Sequence, residues 1–454
     1  MTIAAEQLER TVVLRPAGLG RDFGRLWGAA AVSNLGDGIR DAALPLLAAS
    51  LTGDPLLVAG VAAAGRLPWL VFGRFSGAIV DRVDRRLLMM RVDAFRTVLM
   101  GALAVSVATG VATIPILFLV AFAHGVAETL FDNASHAILP SLVRRDDLER
   151  ANGRLEAALT VCNEFAGPPL GALLFVSLAA VPFVADAGSF LLATLLVAGI
   201  RGRYRPERAA ERKPNLRADI LEGLRFVWSN RLLRTLSLTA AVVNMVLYAT
   251  WAIFVLYSVQ QVGTSELGYG VLLSTFALGG LVGGLYAARF SARLGPGRAI
   301  TLAILVAAGA ELTMGLVPQV AAVAAMLAVV AFSGTLWNVV TTSLRQSLTP
   351  DHLLGRVNSA HRVLGWGSMP VGALLGGLIA KGAGLQAPFL VAGVALLLAA
   401  ALTSRLFAGI KTSRGEDGQL VIDLVAGEVH GVGAGGGERR EEARAQGGKR
   451  AEGA

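Results

Sequence analysis

Residues 77–91 read GAIVDRVDRRLLMMR, a short charged loop between two long apolar runs. Asp81 follows Gly77 by four residues, and a group of arginines comes directly after it. Such a loop predicts a tight turn between two membrane helices, with its arginines on the cytoplasmic side. The whole chain of 454 residues is 54% hydrophobic and only 16% charged, a balance typical of proteins that cross a membrane many times.

The net charge of +9 comes almost entirely from arginine, since the chain has only four lysines. These arginines alternate with apolar spans, which predicts orientation in a lipid bilayer and argues against nucleic acid as a partner. The single cysteine, Cys162, excludes an intramolecular disulfide. We expect no cleaved signal peptide, because residues 1–22 are polar and lack an apolar core.

Apolar runs of about 20 residues predict transmembrane helices. Twelve such runs lie near 23–50, 57–77, 91–110, 114–139, 156–178, 182–200, 232–260, 268–288, 298–317, 320–345, 357–380 and 388–408. Basic residues cluster before the first run and after every even-numbered run, while the odd-numbered loops have almost none. The sequence therefore predicts an all-α integral membrane protein with twelve transmembrane helices, both termini in the cytoplasm, in a cell (inner/plasma) membrane.

The longest interior polar stretch divides the predicted helices into two halves of six. The predicted regions are a cytoplasmic segment (1–22), a first bundle (23–200), a linker (201–231), a second bundle (232–410) and a disordered cytoplasmic tail (411–454). The sequence after Pro214 predicts an amphipathic helix, which either lies along the inner leaflet or is a soluble connector. Weak echoes between the halves, such as Asn34 with Asn244, indicate a duplicated transporter with its binding site between halves.

Charged residues inside a membrane helix are costly and become functional candidates by default. Asp37, Arg40 and Asp41 lie within about one turn of the first span, and Arg66 lies in the second. We predict a structural ion pair between Asp41 and Arg66, with Arg40 as the same-helix cation near Asp37. Asp37 is nearer the membrane centre and is a candidate for function.

Span 4 carries a polar stripe with a spacing of four residues: His124, Glu128, Asp132 and His136, with Asn133 beside it. Four ligands on one helix would spread over about 18 Å, so one metal ion cannot use them all, and we predict no metal site. Proton relay or substrate contact fits the stripe better. Asn163 and Glu164 in span 5 join the same set of candidates, whereas Asp186 and Glu311 are expected to be structural.

Burial disfavours the charged form of an unpaired carboxylate, which makes such groups suitable proton carriers. We therefore expect Asp37, Glu128 or Asp132 to couple proton entry to substrate exit. No phosphate-binding loop is present, so transport would be secondary and would need no cofactor.

Two further groups of residues are candidates for shaping the transport path. Span 5 contains Gly167, Pro168, Pro169 and Gly171, which predict a kinked helix in close packing. The second half offers polar and aromatic side chains that would form either a cavity wall or membrane-interface anchors: Asn244, Tyr248, Trp251, Trp337, Asn338 and Trp366.

Four stretches resemble the major facilitator superfamily, in particular the exporter branch that includes macrolide efflux pumps and the enterobactin exporter. They are residues 35–38, the loop 77–86, residues 125–140 and residues 151–171, within a likeness that covers about 20–410. The last stretch resembles the helix-5 signature that this superfamily associates with antiporters. The resemblance implies a twelve-helix fold, in the form of a monomer.

The resemblance also implies roles for the loop. Asp81 would latch the cytoplasmic helix ends, and Arg82, Arg85 and Arg86 would pair with acids and lipid phosphates. This chain departs from the family pattern at Asp84, where glycine is usual, and at Ala121, where many members have an arginine linked to proton transfer. The proton route here must therefore differ.

The leading hypothesis is a secondary exporter of a small amphipathic or hydrophobic compound, such as an antibiotic, a siderophore or another metabolite, driven by proton antiport. The alternative within transport is a nutrient importer of the same fold. A polytopic lipid-modifying enzyme is disfavoured because the loops are short and lack catalytic clusters, so we predict no enzyme activity. A transporter-like sensor that binds a partner through residues 411–454 is a third hypothesis.

Overall fold

The computed structural model describes residues 19–80, 82–202, 204, 216–350, 353–414 and 420–424. In the first half the helices are α1 (Arg21–Leu51), α2 (Pro55–Val71), α3 (Gly73–Val80), α4 (Arg85–Ala108), α5 (Ile114–Ile138), α6 (Leu148–Ala158), α7 (Gly167–Ser177) and α8 (Val181–Ala198). A π-helical turn, Leu159–Ala166, joins α6 to α7 into one long segment. Short 3-10 turns at Leu139–Ser141 and Arg145–Asp147 follow α5.

The remaining helices belong to the linker and the second half. They are α9 (Leu216–Ser229), α10 (Arg231–Trp251), α11 (Phe254–Leu256), α12 (Glu266–Leu294), α13 (Pro296–Leu316), α14 (Val320–Leu348), α15 (Leu354–Gly367), α16 (Met369–Ala383) and α17 (Ala387–Ala408). A second π-helical turn, Tyr257–Gln261, follows α11. A helical segment therefore lies at each of the twelve predicted spans.

Nine helical segments among the described residues are long and apolar enough to cross a membrane. The long helices α1 and α4 are not among them, since charged residues such as Asp37, Arg40, Asp93 and Arg96 interrupt their apolar sequence. The mainly helical membrane fold is confirmed. The count of twelve crossings and the cytoplasmic placement of both termini stay predictions.

The tail begins differently from the prediction. Strand β1 (Ile410–Arg414) pairs in antiparallel fashion with β2 (Leu420–Leu424), with Ile410 opposite Leu424. The prediction of disorder is therefore wrong for residues 411–414 and 420–424, whose apolar positions were overlooked beside the Gly- and Glu-rich sequence that follows. The rest of the tail lies outside the described residues.

Helix α9 packs against α15 in the second half. Val227 is fully buried there, and Glu222 Oε1 lies 2.7 Å from Arg356 Nη1. Trp228 on the same helix remains about half exposed. On the Val227 side, α9 packs against protein, as expected of a connector helix. Contact of Trp228 with the inner leaflet stays a prediction.

The hydrophobic cores show how the two halves meet. One core runs across both halves at the end that carries the 52–55 and 384–386 loops, and it includes Leu46, Phe175 and Tyr257. Towards the opposite end the buried residues divide into separate clusters, one around Phe23 and Phe131 in the first half and others in the second. The halves therefore share a core at the predicted outer end and have separate cores at the predicted cytoplasmic end.

Candidate functional site: a charged cluster beside the seam between the halves

A charged cluster lies on one face of α1. Arg40 is its centre: Nη1 lies 3.2 Å from Asp37 Oδ1, and Nη2 donates to Asp41 Oδ1 at 2.6 Å. His124 on α5 completes the cluster, with Nε2 3.3 Å from the same Asp37 oxygen and with its ring against Arg40 Nη1. The helix places these groups together because residues three and four positions apart share a face.

The cluster has a buried end and an open end. The side chains of Asp37 and Arg40 are 13% and 9% exposed, whereas that of Asp41 is 47% exposed. Asp41 lies ten residues before the end of α1 and within the predicted span, so the open end of the cluster is at membrane depth. The cluster is therefore accessible at Asp41 and closed at Asp37.

The predicted ion pair between Asp41 and Arg66 is wrong. Asp41 pairs with its sequence neighbour Arg40, which can reach it without crossing to another helix. Arg66 Nε instead donates to the hydroxyl of Tyr248, and its guanidinium lies 5.8 Å from the centre of that ring. Since Tyr248 belongs to α10, this contact joins the two halves of the molecule.

A second buried ion pair was missed by the sequence analysis. Asp93 and Arg96 on α4 are almost wholly buried, and Arg96 Nη1 lies 3.6 Å from Asp93 Oδ1. The Arg96 guanidinium lies 5.2 Å from the ring centre of Phe131 and 5.0 Å from that of Phe190. The available signal was an acid and a base three residues apart inside the predicted span 91–110.

Phe190 connects the two charged groups, because its ring centre is also 5.7 Å from that of His124. Asp186, one turn earlier on α8, is fully buried and accepts from the Ser189 hydroxyl at 3.5 Å. It lies against the backbone of α1 at Gly36, where an added Cβ would come within 2.5 Å of its Oδ1. Asp186 was expected to be structural near an outer helix end, yet it lies beside the cluster.

The polar stripe on α5 runs from the buried cluster to the exposed helix end. His124 is buried, Glu128 and Asp132 are partly buried, and His136 is exposed. Asn133 has a packing role, since its Nδ2 donates to Ser76 Oγ at 2.7 Å and to the Thr129 carbonyl at 2.8 Å. The stripe thus gives titratable groups at successive depths between the cluster and the predicted cytoplasmic side.

The helix-5 motif brings α7 against α1. A Cβ on Gly171 would lie 2.2 Å from the Ile39 carbonyl oxygen, and one on Gly38 would lie 2.3 Å from that of Asn163. Such distances leave no room for any side chain, so the backbones meet directly beside Asp37 and Arg40. Pro168 and Pro169 lie in the first turn of α7, directly after the π-helical turn, and the kink itself stays a prediction.

The segment around Pro169 also contacts the second half. Pro169 has no N–H for the Phe165 carbonyl four residues earlier, and Ser274 Oγ on α12 donates to that carbonyl at 3.3 Å. Gly270 on α12 lies so close that an added Cβ would meet the Ala172 side chain at 2.6 Å. The α7 segment therefore contacts the charged helix of its own half and α12 of the other.

The loop at 77–91 is only partly visible in the structure, since Asp81 lies outside the described residues. Gly77 belongs to α3 and Arg82 is exposed. Arg85 Nη1 donates to the Ala137 carbonyl at 2.8 Å, and Arg86 donates to the Val197 and Ala198 carbonyls at 3.1 and 2.5 Å.

These contacts differ from the implied pairing of Arg85 and Arg86 with acids, while pairing with lipid phosphates stays a prediction. Both arginines bind the carbonyl ends of α5 and α8, where the helix dipole favours a cation. Asp84, the residue that departs from the family pattern, caps α4 by accepting from Leu87 N and also accepts from Tyr204 N.

Of the cavity-wall candidates, some lie at the boundary between the halves or are exposed, and one is buried in the core of the second half. At the boundary between halves, the Trp366 ring lies 5.5 Å from that of Trp69, while Trp251 is 38% exposed and stacks on Phe254. Asn244 Nδ2 donates to the Gly365 carbonyl, and Asn338 is exposed. Trp337 is only 7% exposed and packs in the core of the second half, so its assignment to a cavity wall is wrong.

The chain forms two helical halves, and charged residues are buried close to the interface between them. These features define an integral membrane transporter. Residues 19–416 match the family model described as transmembrane secretion effector, and the chain belongs to this family of the major facilitator superfamily. It is therefore a multi-pass cell-membrane efflux transporter, and the predicted resemblance to the exporter branch is confirmed.

The relatives support the same assignment. The chain is 30% identical over 383 residues to the multidrug efflux pump Tap of Mycolicibacterium fortuitum, covering 82% of this chain and 92% of the pump. It is 27% identical over 384 residues to macrolide efflux protein A of Streptococcus pyogenes, covering 83% and 93%. The solved structure of the nucleoside transporter NupG has a TM-score of 0.69 at 12% identity, covering 85% and 100%, which shows the shared fold alone.

Proposed function

We propose that this efflux transporter exports a small amphipathic or hydrophobic compound in exchange for protons, by alternating access as a monomer. The names of the two relatives, a multidrug pump and a macrolide efflux protein, support a substrate of this kind. The observation that carries proton exchange is the cluster in which Arg40 contacts Asp37, Asp41 and His124.

Proton binding changes the charge balance of that cluster. With both carboxylates ionised, Arg40 is held between Asp37 and Asp41, and the cluster carries one net negative charge. A proton arriving through Asp41 and passing to Asp37 would neutralise the buried carboxylate and weaken its attraction to Arg40. Ion pairs in a low-dielectric site respond strongly to such a change.

A shift of α1 that follows protonation would be transmitted to the second half through close backbone contacts with the segment before α7. Gly38 is next to Asp37, and it lies against the Asn163 carbonyl of the segment that leads into α7. That segment in turn contacts α12 through Phe165 and Ser274. A small shift of α1 would thus reach the second half without any change in helix length.

The arrangement of the cores supports alternating access. The halves share one core at the predicted outer end, and Asp54 pairs with Lys381 there. Separate cores at the other end are what a state open to the cytoplasm requires. Substrate would enter in this state and leave after the outer contacts separate.

Inside-out membrane vesicles provide the test. An imposed proton gradient, acidic inside, should drive accumulation of a fluorescent amphipathic drug in vesicles with the natural chain. Asp37→Asn should abolish gradient-driven accumulation yet retain exchange of labelled for unlabelled drug, because exchange needs no net proton movement. Asp22→Asn, in a partly exposed ion pair with Arg25 on the first turn of the same helix, is the matched control and should keep both activities.

Gradient-driven accumulation at the natural rate with Asp37→Asn would overturn the role of the cluster. Accumulation only in right-side-out vesicles would instead support the alternative of a nutrient importer.

A further inference from the structure

A cavity of about 330 Å³ lies between the two halves, beside the π-helical turn that precedes α7. Thr160 and Glu164 line it from the first half, and Gly280, Gly284 and Thr335 line it from the second. Its volume falls in the range of small-molecule sites. It is separate from the charged cluster on α1, so it needs its own explanation.

The second half contributes an open glycine surface. A Cβ on Gly280 would meet only the Thr335 hydroxyl at 3.6 Å, and one on Gly284 would meet only the Thr335 methyl at 3.9 Å. By contrast, a Cβ on the adjacent Gly283 would lie 2.9 Å from the Phe332 carbonyl oxygen. Gly283 therefore serves helix packing, while Gly280 and Gly284 leave space in front of Glu164.

The cavity faces lipid as well as protein. Leu281 and Leu285, which also line it, are 51% and 67% exposed, and Val161 and Phe165 beside Glu164 are 57% and 43% exposed. Glu164 lies thirteen residues before Ser177, which places it about 20 Å along the helix from that end and within the membrane. An occupant would therefore meet apolar side chains around a single acidic group.

Glu164 has no counter-charge among the described residues. No lining residue is basic, and no ion pair or hydrogen bond to its carboxylate is present in that part of the chain. This differs from Asp37 and Asp41, which share Arg40. An unpaired carboxylate at membrane depth is costly, and a cationic ligand would remove that cost.

We infer that this cavity binds lipophilic cations that enter from the membrane, with Glu164 as their counter-ion. This inference rests on the proposed export function and specifies its substrate class: compounds with an apolar body and a permanent or protonated amine charge. The π-helical turn directs Glu164 towards α12, and the two glycines of α12 admit the body of the ligand.

Binding of tetraphenylphosphonium to the full chain in lipid nanodiscs tests the inference without requiring transport. The natural chain should bind this probe, and Glu164→Gln should weaken binding by about tenfold or more, the loss expected for one charge-assisted contact. Glu149→Gln, an exposed acid about four turns earlier on the same segment, is the matched control and should bind as the natural chain does.

Gly284→Leu provides an independent variant, because its side chain would fill the cavity while its Cβ makes only ordinary contacts. It should weaken binding of the cation while leaving Glu164 in place. Natural affinity in both variants, or no binding to the natural chain, would overturn the inference. Failure of the proposed function has a different signature: intact binding together with no proton-driven movement of the probe in vesicles.

Discussion

Asp54 Oδ2 and Lys381 Nζ lie 2.6 Å apart and join the two halves at the end where they share a core. Asp54 also caps α2, since its Oδ1 accepts from Leu56 N at 2.9 Å. The hydrogen bond from Lys381, followed by that from Leu56, lowers the pKa of Asp54 below its usual value. The ion pair between Asp54 and Lys381 therefore joins the halves at the predicted outer end, and it breaks only at a pH below the usual aspartate range.

We expect the outer closure to be insensitive to external pH between about 5 and 8. The ordinary pKa of aspartate is about 3.9. Because the pKa of Asp54 is lower than this, its carboxylate stays ionised and paired at any pH above that value, and the ion pair is lost only as the pH falls through the lowered pKa. Spin labels at Gly53→Cys and Gly382→Cys, in a Cys162→Ser background, would report the distance across this ion pair. An added Cβ has open space at both glycines.

Lys381→Asp should lengthen that distance at neutral pH, because two carboxylates would then face each other. Lys381→Gln is the control for loss of attraction alone and should give a smaller change. A distance unchanged in Lys381→Asp would show that the shared apolar core alone keeps this end closed.

Arg40→Gln should strongly destabilise the folded protein. Arg40 is the cation that compensates two carboxylates, and removing one partner of a buried pair typically costs about 3–5 kcal/mol. The midpoint of thermal unfolding in detergent, followed by fluorescence-detected gel filtration, measures the effect. Arg21→Gln, exposed at the start of the same helix, should leave the midpoint unchanged.

A triple variant should show whether Arg40 stabilises the protein through its charge or through its packing contacts. Combining Arg40→Gln with Asp37→Asn and Asp41→Asn removes the uncompensated negative charges and should recover much of the lost midpoint. No recovery would mean that Arg40 acts through its contacts and not through its charge.

Asp93 and Arg96 should behave as a coupled pair in a double-mutant cycle. Arg96→Met leaves a buried carboxylate without its cation, and Asp93→Asn removes the carboxylate that contacts the guanidinium and leaves it between the Phe131 and Phe190 rings. Each single variant should unfold at a lower temperature than the natural chain. The double variant should be more stable than Arg96→Met, since it contains no unpaired buried charge. Additive losses would show that the two residues act independently.

Gly38→Ala and Gly171→Ala should each impair folding and transport, because the new methyl group would push α1 away from the helix-5 segment. Overpacking of this kind typically costs about 1–3 kcal/mol. Gly101→Ala on α4 is the matched control, since an added Cβ there meets nothing within 4 Å. Yield of monodisperse protein and the rate of drug accumulation per molecule would measure both effects, and normal values for Gly171→Ala would contradict the close contact.

The helices were predictable because long apolar runs separated by arginine clusters leave few other arrangements. The charged cluster was predictable in part. Asp37, Arg40, Asp41 and His124 were identifiable as polar residues within apolar helices, but helical spacing gives only the face of a side chain. It does not give the opposing helix, which is why Arg66 was assigned to Asp41 and contacts Tyr248 instead.

Other differences have similar physical causes. Trp337 lies on an apolar helix where core and cavity positions look alike, so composition alone could not place it in the core. The π-helical turn before Gly167 depends on a widened hydrogen-bond pattern that no residue type specifies. The prolines at 168 and 169 predict a kink, but they do not predict that Ser274 from the other half donates to the Phe165 carbonyl.

The contact of α1 with α7 is made by backbone at Gly38 and Gly171, with no side chain between the helices. In the inference above, the cargo meets a side chain, that of Glu164, so a substitution there can change drug preference and leave this backbone contact as it is. Cargo range and energy coupling can therefore diverge separately during evolution. A pump built in this way can acquire resistance to a new compound by changing side chains that line its cavity, while the contact between α1 and α7 is unchanged.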